Sequence, residues 1–106
     1  MNATILHNPR CSKSRAALAL LTEAGAEVTI VEYLKTPPSR DELARLCARA
    51  GITPRAALRP DAPAVDTDDA ALDMMAHDPA NIERPFVETE KGALIARPPE
   101  RVRDLL

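Results

Sequence analysis

The chain has 106 residues and a formal net charge of −2, with 45% hydrophobic and 2% aromatic residues. This length fits a single domain over residues 1–106, whose core must be built from aliphatic side chains. The negative net charge does not favour binding to nucleic acid. No apolar run approaches the ~18 residues that span a membrane, and no secretory signal is expected. Two cysteines cannot form a disulfide framework, so the composition favours a cytoplasmic protein.

The N-terminal third predicts a parallel β-α-β unit. Residues 3–6 form a predicted strand that stops before Asn8-Pro9. Apolar residues then recur with helical spacing over about 12–24, and Gly25 stands at the stop position. The β-branched stretch from Val28 to Leu34 predicts a second strand. A strand, a helix and a strand in this order favour parallel pairing through a helical crossover.

The middle of the chain predicts helices and a loop. Ser39 and Glu42 have the spacing of a capping box and open a helix that ends at Gly51. A short helix is predicted over 53–58, followed by an acidic loop over 60–69. Thr67 is the predicted cap of a further helix that runs to about His77.

The last third predicts a β-hairpin and a terminal helix. The strands are residues 86–89 and 93–96, joined by a three-residue turn, Glu90-Lys91-Gly92. Pro98-Pro99 leads a short final helix. The whole order predicts an α/β fold of thioredoxin-like topology, in which helices flank a βαβ…ββα sheet.

Cys11 is the candidate nucleophile, because it lies between the first strand and the first helix. A helix N-terminus carries partial positive charge and free N–H groups, which stabilise a thiolate and bind oxyanions. The helix end alone supplies about 0.3–1 kcal/mol, so further groups must lower the thiol pKa. The nearby candidates are His7, the hydroxyls of Ser12 and Ser14, and three cations (Arg10, Lys13 and Arg15).

The second cysteine, Cys47, is predicted to pack as a small apolar side chain on the core face of its helix. Ser14 occupies the position three after Cys11, so no C-x-x-C motif is present and an external thiol is expected to complete any redox cycle. Only two histidines are present and the cysteines are not clustered, so no metal site is expected.

Three arginines precede prolines, at Arg59, Arg84 and Arg97. A residue before proline is held in extended backbone at the boundary of an element, where binding residues are common. Guanidinium groups bind tetrahedral oxyanions in a bidentate manner, so at least one of the three is expected to hold an anionic ligand. Pro85, which opens a strand, is a candidate cis proline.

These residues together resemble the glutaredoxin-dependent arsenate reductases, a family related to the Spx regulators. The resemblance covers nearly the whole chain through residues 8–15, 33–40, 51–52, 59, 83–85 and 97–100. It implies a thioredoxin fold with a helical insertion. It also implies that Cys11 attacks arsenate, that His7 and Ser14 lower its pKa, and that Pro85 is cis. The oxyanion would be held by Arg59, Arg84 and Arg97.

The resemblance further implies the partners of the reaction. Glutathione would attack the arsenic–cysteine adduct as reducing co-substrate, glutaredoxin would remove the mixed disulfide, and arsenite would leave. No bound cofactor is expected, and the protein is expected to act as a monomer. Two segments depart from the usual pattern of the family. The segment after Arg59, residues 60–65, is shorter and differs in sequence, and the segment before Arg84, residues 78–82, is one residue longer.

Two alternatives remain open at this point. A general glutaredoxin-like thiol oxidoreductase would use Cys11 and glutathione without needing three arginines. An Spx-like redox regulator would act without catalysis, although such proteins usually carry a cysteine pair where this chain has Ser14.

Overall fold

A four-stranded mixed β-sheet forms the centre of the fold in the computed structural model, which describes residues 1–106. In chain order its strands are β1 (Asn2–Leu6), β2 (Glu27–Val31), β3 (Phe86–Thr89) and β4 (Gly92–Ile95). The spatial order is β2-β1-β3-β4, with β1 parallel to β2 and antiparallel to β3. The strands β3 and β4 form an antiparallel hairpin. The predicted thioredoxin-like topology is therefore confirmed.

Three α-helices flank the sheet: α1 (Ser12–Glu23), α2 (Arg40–Ala50) and α3 (Asp68–His77). The two predicted caps are confirmed, because Ser39 Oγ accepts the N–H of Glu42 at 3.1 Å and Thr67 Oγ1 accepts the N–H of Ala70 at 3.0 Å. Gly51 ends α2 with a φ of 67°, a left-handed conformation that strains residues with a Cβ atom. The longest helix has 12 residues, and no helix has the length and apolarity needed to cross a membrane.

The core consists of two apolar clusters on opposite faces of the sheet. On β1, Ala3 and Ile5 belong to one cluster and Leu6 to the other, as the alternation of side chains along a strand requires. Residues of α1 and of the C-terminal 3-10 helix (Pro99–Leu105) complete the first cluster. Residues of α2 and α3 complete the second, which makes the helical insertion between β2 and β3 part of the core.

The structure corrects several predicted boundaries. The strand β2 ends at Val31 rather than Leu34, because the N–H groups of Lys35 and Thr36 turn back to the carbonyl of Glu32 at 2.9 Å. The hairpin turn has two residues rather than three, since Gly92 already pairs with Thr89 as the first residue of β4. The short helices predicted near residues 53–58 and at the C-terminus are 3-10 helices over Arg55–Ala57 and Pro99–Leu105.

Candidate active site

Cys11 is the N-cap residue of α1, with extended backbone (φ −91°, ψ 120°). Its N–H donates to the carbonyl of Asn8 at 3.0 Å, and its own carbonyl accepts the N–H of Arg15 at 3.0 Å. The side chain is half-buried, and the first turn of α1 carries no acidic residue. The chain thus presents this thiol at the positive end of a helix, where the sequence places it.

The environment of Cys11 lowers the pKa of the thiol below its ordinary value. Burial is the largest single influence and raises the pKa, because a thiolate is poorly solvated in the protein. The backbone N–H groups of Ser14 and Lys13 and the guanidinium of Arg84 act in the opposite direction, and together they outweigh burial. The thiolate is therefore stabilised by donors from α1 and by a cation from the segment before β3.

His7 and Ser14 form a buried pair directly beneath this turn. Ser14 is completely buried, and its Oγ lies 2.6 Å from Nδ1 of His7. The same Oγ accepts the N–H of Asn8 at 3.1 Å. The Ser14 hydroxyl therefore connects α1 to the loop that carries Cys11, while the backbone N–H of Ser14 acts on the sulfur. Burial also lowers the pKa of His7, which keeps the ring neutral.

The three arginines before prolines occupy different positions. The guanidinium of Arg84 helps to lower the pKa of the Cys11 thiol, and its Nε atom is buried without a partner. Arg59 Nε lies 3.2 Å from a carboxylate oxygen of Asp61. Arg97 donates through Nη1 to the carbonyl of Arg84 at 3.0 Å. Of the three, Arg84 is the one that acts on the pKa of Cys11, whereas Arg97 bonds to the backbone of Arg84 and Arg59 forms an exposed ion pair.

The segments that carry Arg59 and Arg84 are joined by a short stretch of antiparallel backbone, termed here the neck. Leu58 pairs with Ile82 as an isolated bridge. The N–H of Arg59 donates to the carbonyl of Asn81 at 2.8 Å, and the N–H of Glu83 donates to that of Ala57 at 2.8 Å. The neck joins the two ends of the segment over residues 60–80, which contains α3. Its backbone hydrogen bonds therefore fix the positions from which both arginine side chains extend.

Pro85 follows a cis peptide bond, as the sequence analysis expects, and the bond between Arg97 and Pro98 is also cis, which was not anticipated. Pro85 is buried, and its carbonyl accepts the N–H of Ala96 at 2.9 Å. Two of the three arginines are therefore followed by cis prolines, and hydrogen bonds tie the two segments together.

Both cysteines are free thiols, in different environments. Cys47 is 1% exposed within the cluster under α2, and burial raises its pKa. This placement confirms the prediction that Cys47 packs in the core. No group of three or more His, Cys, Asp or Glu side chains is arranged to hold a metal ion.

Sequence reasoning assigned no role to two residues of the site, Tyr33 and Glu83. Tyr33 is 1% exposed, and burial raises the pKa of its phenol, while Arg84 and Asn8 act to lower it. Tyr33 is the only tyrosine in a chain with two aromatic residues, and this rarity could have drawn attention to it.

Glu83 lies between two of the arginines. Its Oε1 is 3.6 Å from Nη1 of Arg84 and 3.9 Å from Nη1 of Arg97. The same oxygen accepts the backbone N–H of Arg84 at 3.2 Å. The contacts with Arg84 join neighbours in the chain, whereas the contact with Arg97 depends on the approach of the segment after β4 to the neck, which no local pattern predicts.

The chain is similar to known proteins over its whole length. A family model described as the ArsC family matches residues 6–105. An arsenate reductase of Escherichia coli is 43% identical over 114 aligned residues, which cover 99% of this chain and 81% of that protein. An arsenate reductase of Rhizobium meliloti (strain 1021) is 44% identical, with 100% and 82% covered. The solved structure of an arsenate reductase from Vibrio cholerae superposes with a TM-score of 0.93 at 40% identity, covering 100% of this chain and 98% of that one.

Proposed function

The chain belongs to the ArsC family, and from this membership we propose that it is an arsenate reductase that converts arsenate to arsenite at Cys11. The observation that carries the proposal is the position of Cys11 as the N-cap residue of α1, where the N–H groups of Ser14 and Lys13 and the guanidinium of Arg84 lower the pKa of its thiol. These groups stabilise a thiolate, and free N–H groups of the same helix end suit a tetrahedral oxyanion. A nucleophile and an anion-binding site therefore coincide in one turn.

The reaction begins when the Cys11 thiolate attacks arsenic. A sulfur–arsenic bond forms and one arsenic–oxygen bond breaks, with the oxygen leaving as water. A second thiol then completes the reduction: the two sulfur atoms are oxidised to one disulfide, and the two electrons that they lose reduce arsenic from +5 to +3. Arsenite leaves, and Cys11 remains in a mixed disulfide.

The arginines offset the negative charge of arsenate in this proposal. Arg84 already lowers the pKa of the Cys11 thiol. Arg59 and Arg97 lie in partly exposed contacts with Asp61 and Glu83, at 3.2 Å and 3.9 Å. Exposed ion pairs contribute only about 0–1 kcal/mol, so a bound dianion can replace the carboxylates as their partner.

The second thiol is proposed to be glutathione, which acts as a co-substrate, with glutaredoxin reducing the mixed disulfide. An external thiol is required because Cys47 is buried in the core and Ser14 stands where a resolving cysteine would. No bound cofactor is needed, since the thiols supply both electrons. We place the protein in the cytoplasm, where reduced thiols are maintained, and propose that it acts as a monomer.

The test is arsenate-dependent oxidation of NADPH in the presence of glutathione, glutaredoxin and glutathione reductase. Wild type and Cys47→Ser are expected to be active, and Cys11→Ser is expected to be inactive. The two serine variants form a matched pair, because each removes one sulfur atom from the chain. Absence of arsenate-dependent turnover in wild type, or turnover that survives in Cys11→Ser, would overturn the proposal.

A further inference from the structure

Glu83 places a carboxylate between two of the arginines that are proposed to hold arsenate. Its Oε1 atom is 3.6 Å from Nη1 of Arg84 and 3.9 Å from Nη1 of Arg97. The two arginines are themselves joined, because Nη1 of Arg97 donates to the carbonyl of Arg84 at 3.0 Å. An anion that binds to both guanidinium groups therefore shares this space with a negative charge. In a site that served only to attract anions, such a carboxylate would weaken binding.

The two arginines do not use up the hydrogen-bonding capacity of this carboxylate. At Glu88, whose side chain is also 17% exposed, each carboxylate oxygen accepts a guanidinium N–H of Arg45, at 2.7 and 2.6 Å. At Glu83 both guanidinium distances exceed the range of a hydrogen bond. Oε1 accepts the backbone N–H of Arg84 at 3.2 Å, and Oε2 accepts no hydrogen bond from the protein. Glu83 thus keeps a free acceptor beside two cations.

The space around this carboxylate has room for a ligand. Glu83 and Arg97 line a cavity of about 300 Å³, together with Arg101 and several apolar side chains. The Nε atom of Arg84 is buried without an acceptor, which a tetrahedral oxyanion would supply. The same guanidinium carries the Nη1 atom that lies 3.6 Å from Glu83. An oxyanion held by Arg84 and Arg97 is therefore within reach of Oε2 of Glu83.

A carboxylate in this position distinguishes oxyanions by their protons, because it accepts hydrogen bonds and donates none. Hydrogen arsenate and sulfate are tetrahedral dianions, so the arginines attract both. Arsenate at neutral pH carries at least one hydroxyl group, whereas every oxygen of sulfate is an acceptor. The hydroxyl can donate to the carboxylate, but a sulfate oxygen there would face a second acceptor of the same charge. A site built to bind a hydroxyl rejects an analogue that lacks it.

We propose that Glu83 is a specificity-determining residue, whose carboxylate accepts the hydroxyl of hydrogen arsenate and repels oxyanions that carry no proton. This inference rests on the function proposed above. Arg84 and Arg97 bind the ionised oxygens of the ligand, and Oε2 of Glu83 binds its hydroxyl. The arrangement admits arsenate and phosphate and selects against sulfate. The redox step then separates arsenate from phosphate, since thiols reduce arsenic(V) but not phosphorus(V).

The test compares the binding of phosphate and sulfate to wild type, Glu83→Gln and Glu88→Gln at constant ionic strength. Neither anion is reduced, so each is titrated for protection of Cys11 against iodoacetamide and for inhibition of arsenate turnover. Wild type should bind phosphate about 10-fold or more tightly than sulfate. Glutamine keeps an acceptor oxygen for the hydroxyl of phosphate and adds an N–H donor for sulfate. In Glu83→Gln, sulfate should therefore bind about 10-fold more tightly, while the affinity for phosphate should change by less than about 3-fold.

Glu88→Gln is the matched control, because it removes a carboxylate of equal exposure that lies outside the site. It should keep the wild-type preference for phosphate. A loss of that preference in Glu88→Gln as well would overturn the inference, since the removal of any carboxylate would then suffice. Equal tightening of both anions in Glu83→Gln would also overturn it, because the carboxylate would then act only as a repelling charge. An unchanged preference in Glu83→Gln would leave Glu83 without a role in specificity.

Two outcomes need no variant. Wild type that binds sulfate as tightly as phosphate overturns the inference, and so does wild type in which neither anion protects Cys11. The failure of the proposed function is a different result, namely wild type without arsenate-dependent turnover. Protection of Cys11 is measured without arsenate reduction, so it decides the role of Glu83 separately.

Discussion

Replacement of Ser14 by alanine removes the hydroxyl that joins α1 to the Cys11 loop. The side chain is completely buried, and its Oγ is the partner of His7 Nδ1 at 2.6 Å and of the Asn8 N–H at 3.1 Å. Alanine leaves both groups without a partner. An unsatisfied buried polar group costs about 1–3 kcal/mol. Because Asn8 is only half-buried and water can reach part of it, we expect a loss of about 2–4 kcal/mol in the free energy of unfolding.

The loss is measured by urea denaturation followed by circular dichroism. In a domain of this size each 1 kcal/mol shifts Tm by about 4–8 °C, so thermal melting gives an independent reading. The matched control is Ser12→Ala, in the same turn of α1. Ser12 is exposed, and we expect its replacement to change stability by no more than about 0.5 kcal/mol.

The variant Ser14→Ala also distinguishes the effect of the Ser14 hydroxyl on the pKa of Cys11 from the effect of the Ser14 backbone N–H. The N–H groups of Ser14 and Lys13 and the guanidinium of Arg84 persist in Ser14→Ala, so the pKa of Cys11 should stay below its ordinary value. Iodoacetamide alkylation against pH measures this. A loss of stability no greater than that of Ser12→Ala would refute the reasoning about the buried pair. An ordinary thiol pKa in Ser14→Ala would show that the hydroxyl, and not the backbone, stabilises the thiolate.

Three further predictions follow from the same geometry. Arg84→Met should raise the alkylation midpoint of Cys11, whereas Arg97→Met should leave it unchanged, since Arg84 is the guanidinium at the sulfur. Burial lowers the pKa of His7 in the folded protein, so as the pH falls the imidazole of the unfolded chain is protonated before that of the folded chain. The free energy of unfolding should therefore be highest above about pH 6.5 and should decrease as the pH drops below that value. Urea titrations at several pH values should show this component missing in His7→Gln. Native Cys47 should resist iodoacetamide in mass spectrometry, and Cys47→Ala should retain turnover.

Contrary results are equally specific. Equal alkylation midpoints of Cys11 in Arg84→Met and wild type would show that the Arg84 guanidinium does not stabilise the thiolate. An unchanged acid sensitivity in His7→Gln would assign that sensitivity to other groups. Rapid modification of native Cys47 would contradict its burial under α2.

Local signals in the sequence predicted the elements well because the interactions involved are themselves local. Ser39 and Thr67 cap helices through hydrogen bonds to residues three positions away. Cys11 could be placed at a helix N-terminus because the strand, the Asn8-Pro9 break and the helix are adjacent in the chain. The boundary errors occurred where equally local hydrogen bonds join backbone groups, which residue type does not reveal. β2 stopped early because the chain turns back onto Glu32, which β-branched composition does not reveal.

The remainder of the site depends on contacts between distant residues. Arg59 and Arg84 were identified by their neighbours in sequence, but only the tertiary structure distinguishes the one that reaches the sulfur. Glu83 and Tyr33 lie in segments that carry the family resemblance, but nothing beside them in the chain indicates a chemical role. Packing buries Tyr33 in the core and brings Arg97, from the segment after β4, to the carboxylate of Glu83.

The neck also determines where this protein can change in length. The segment over residues 60–80 begins and ends at the neck, where backbone hydrogen bonds lie on either side of the Leu58–Ile82 bridge. Its first part, residues 60–64, is largely exposed, whereas Val65 and α3 pack against the core. Extra residues there cost mainly loop-closure entropy, about 0.6 kcal/mol for each doubling of the loop. Residues 60–64 are thus a permissive insertion point, suited to grafting a peptide or reporter while the arginines stay in register.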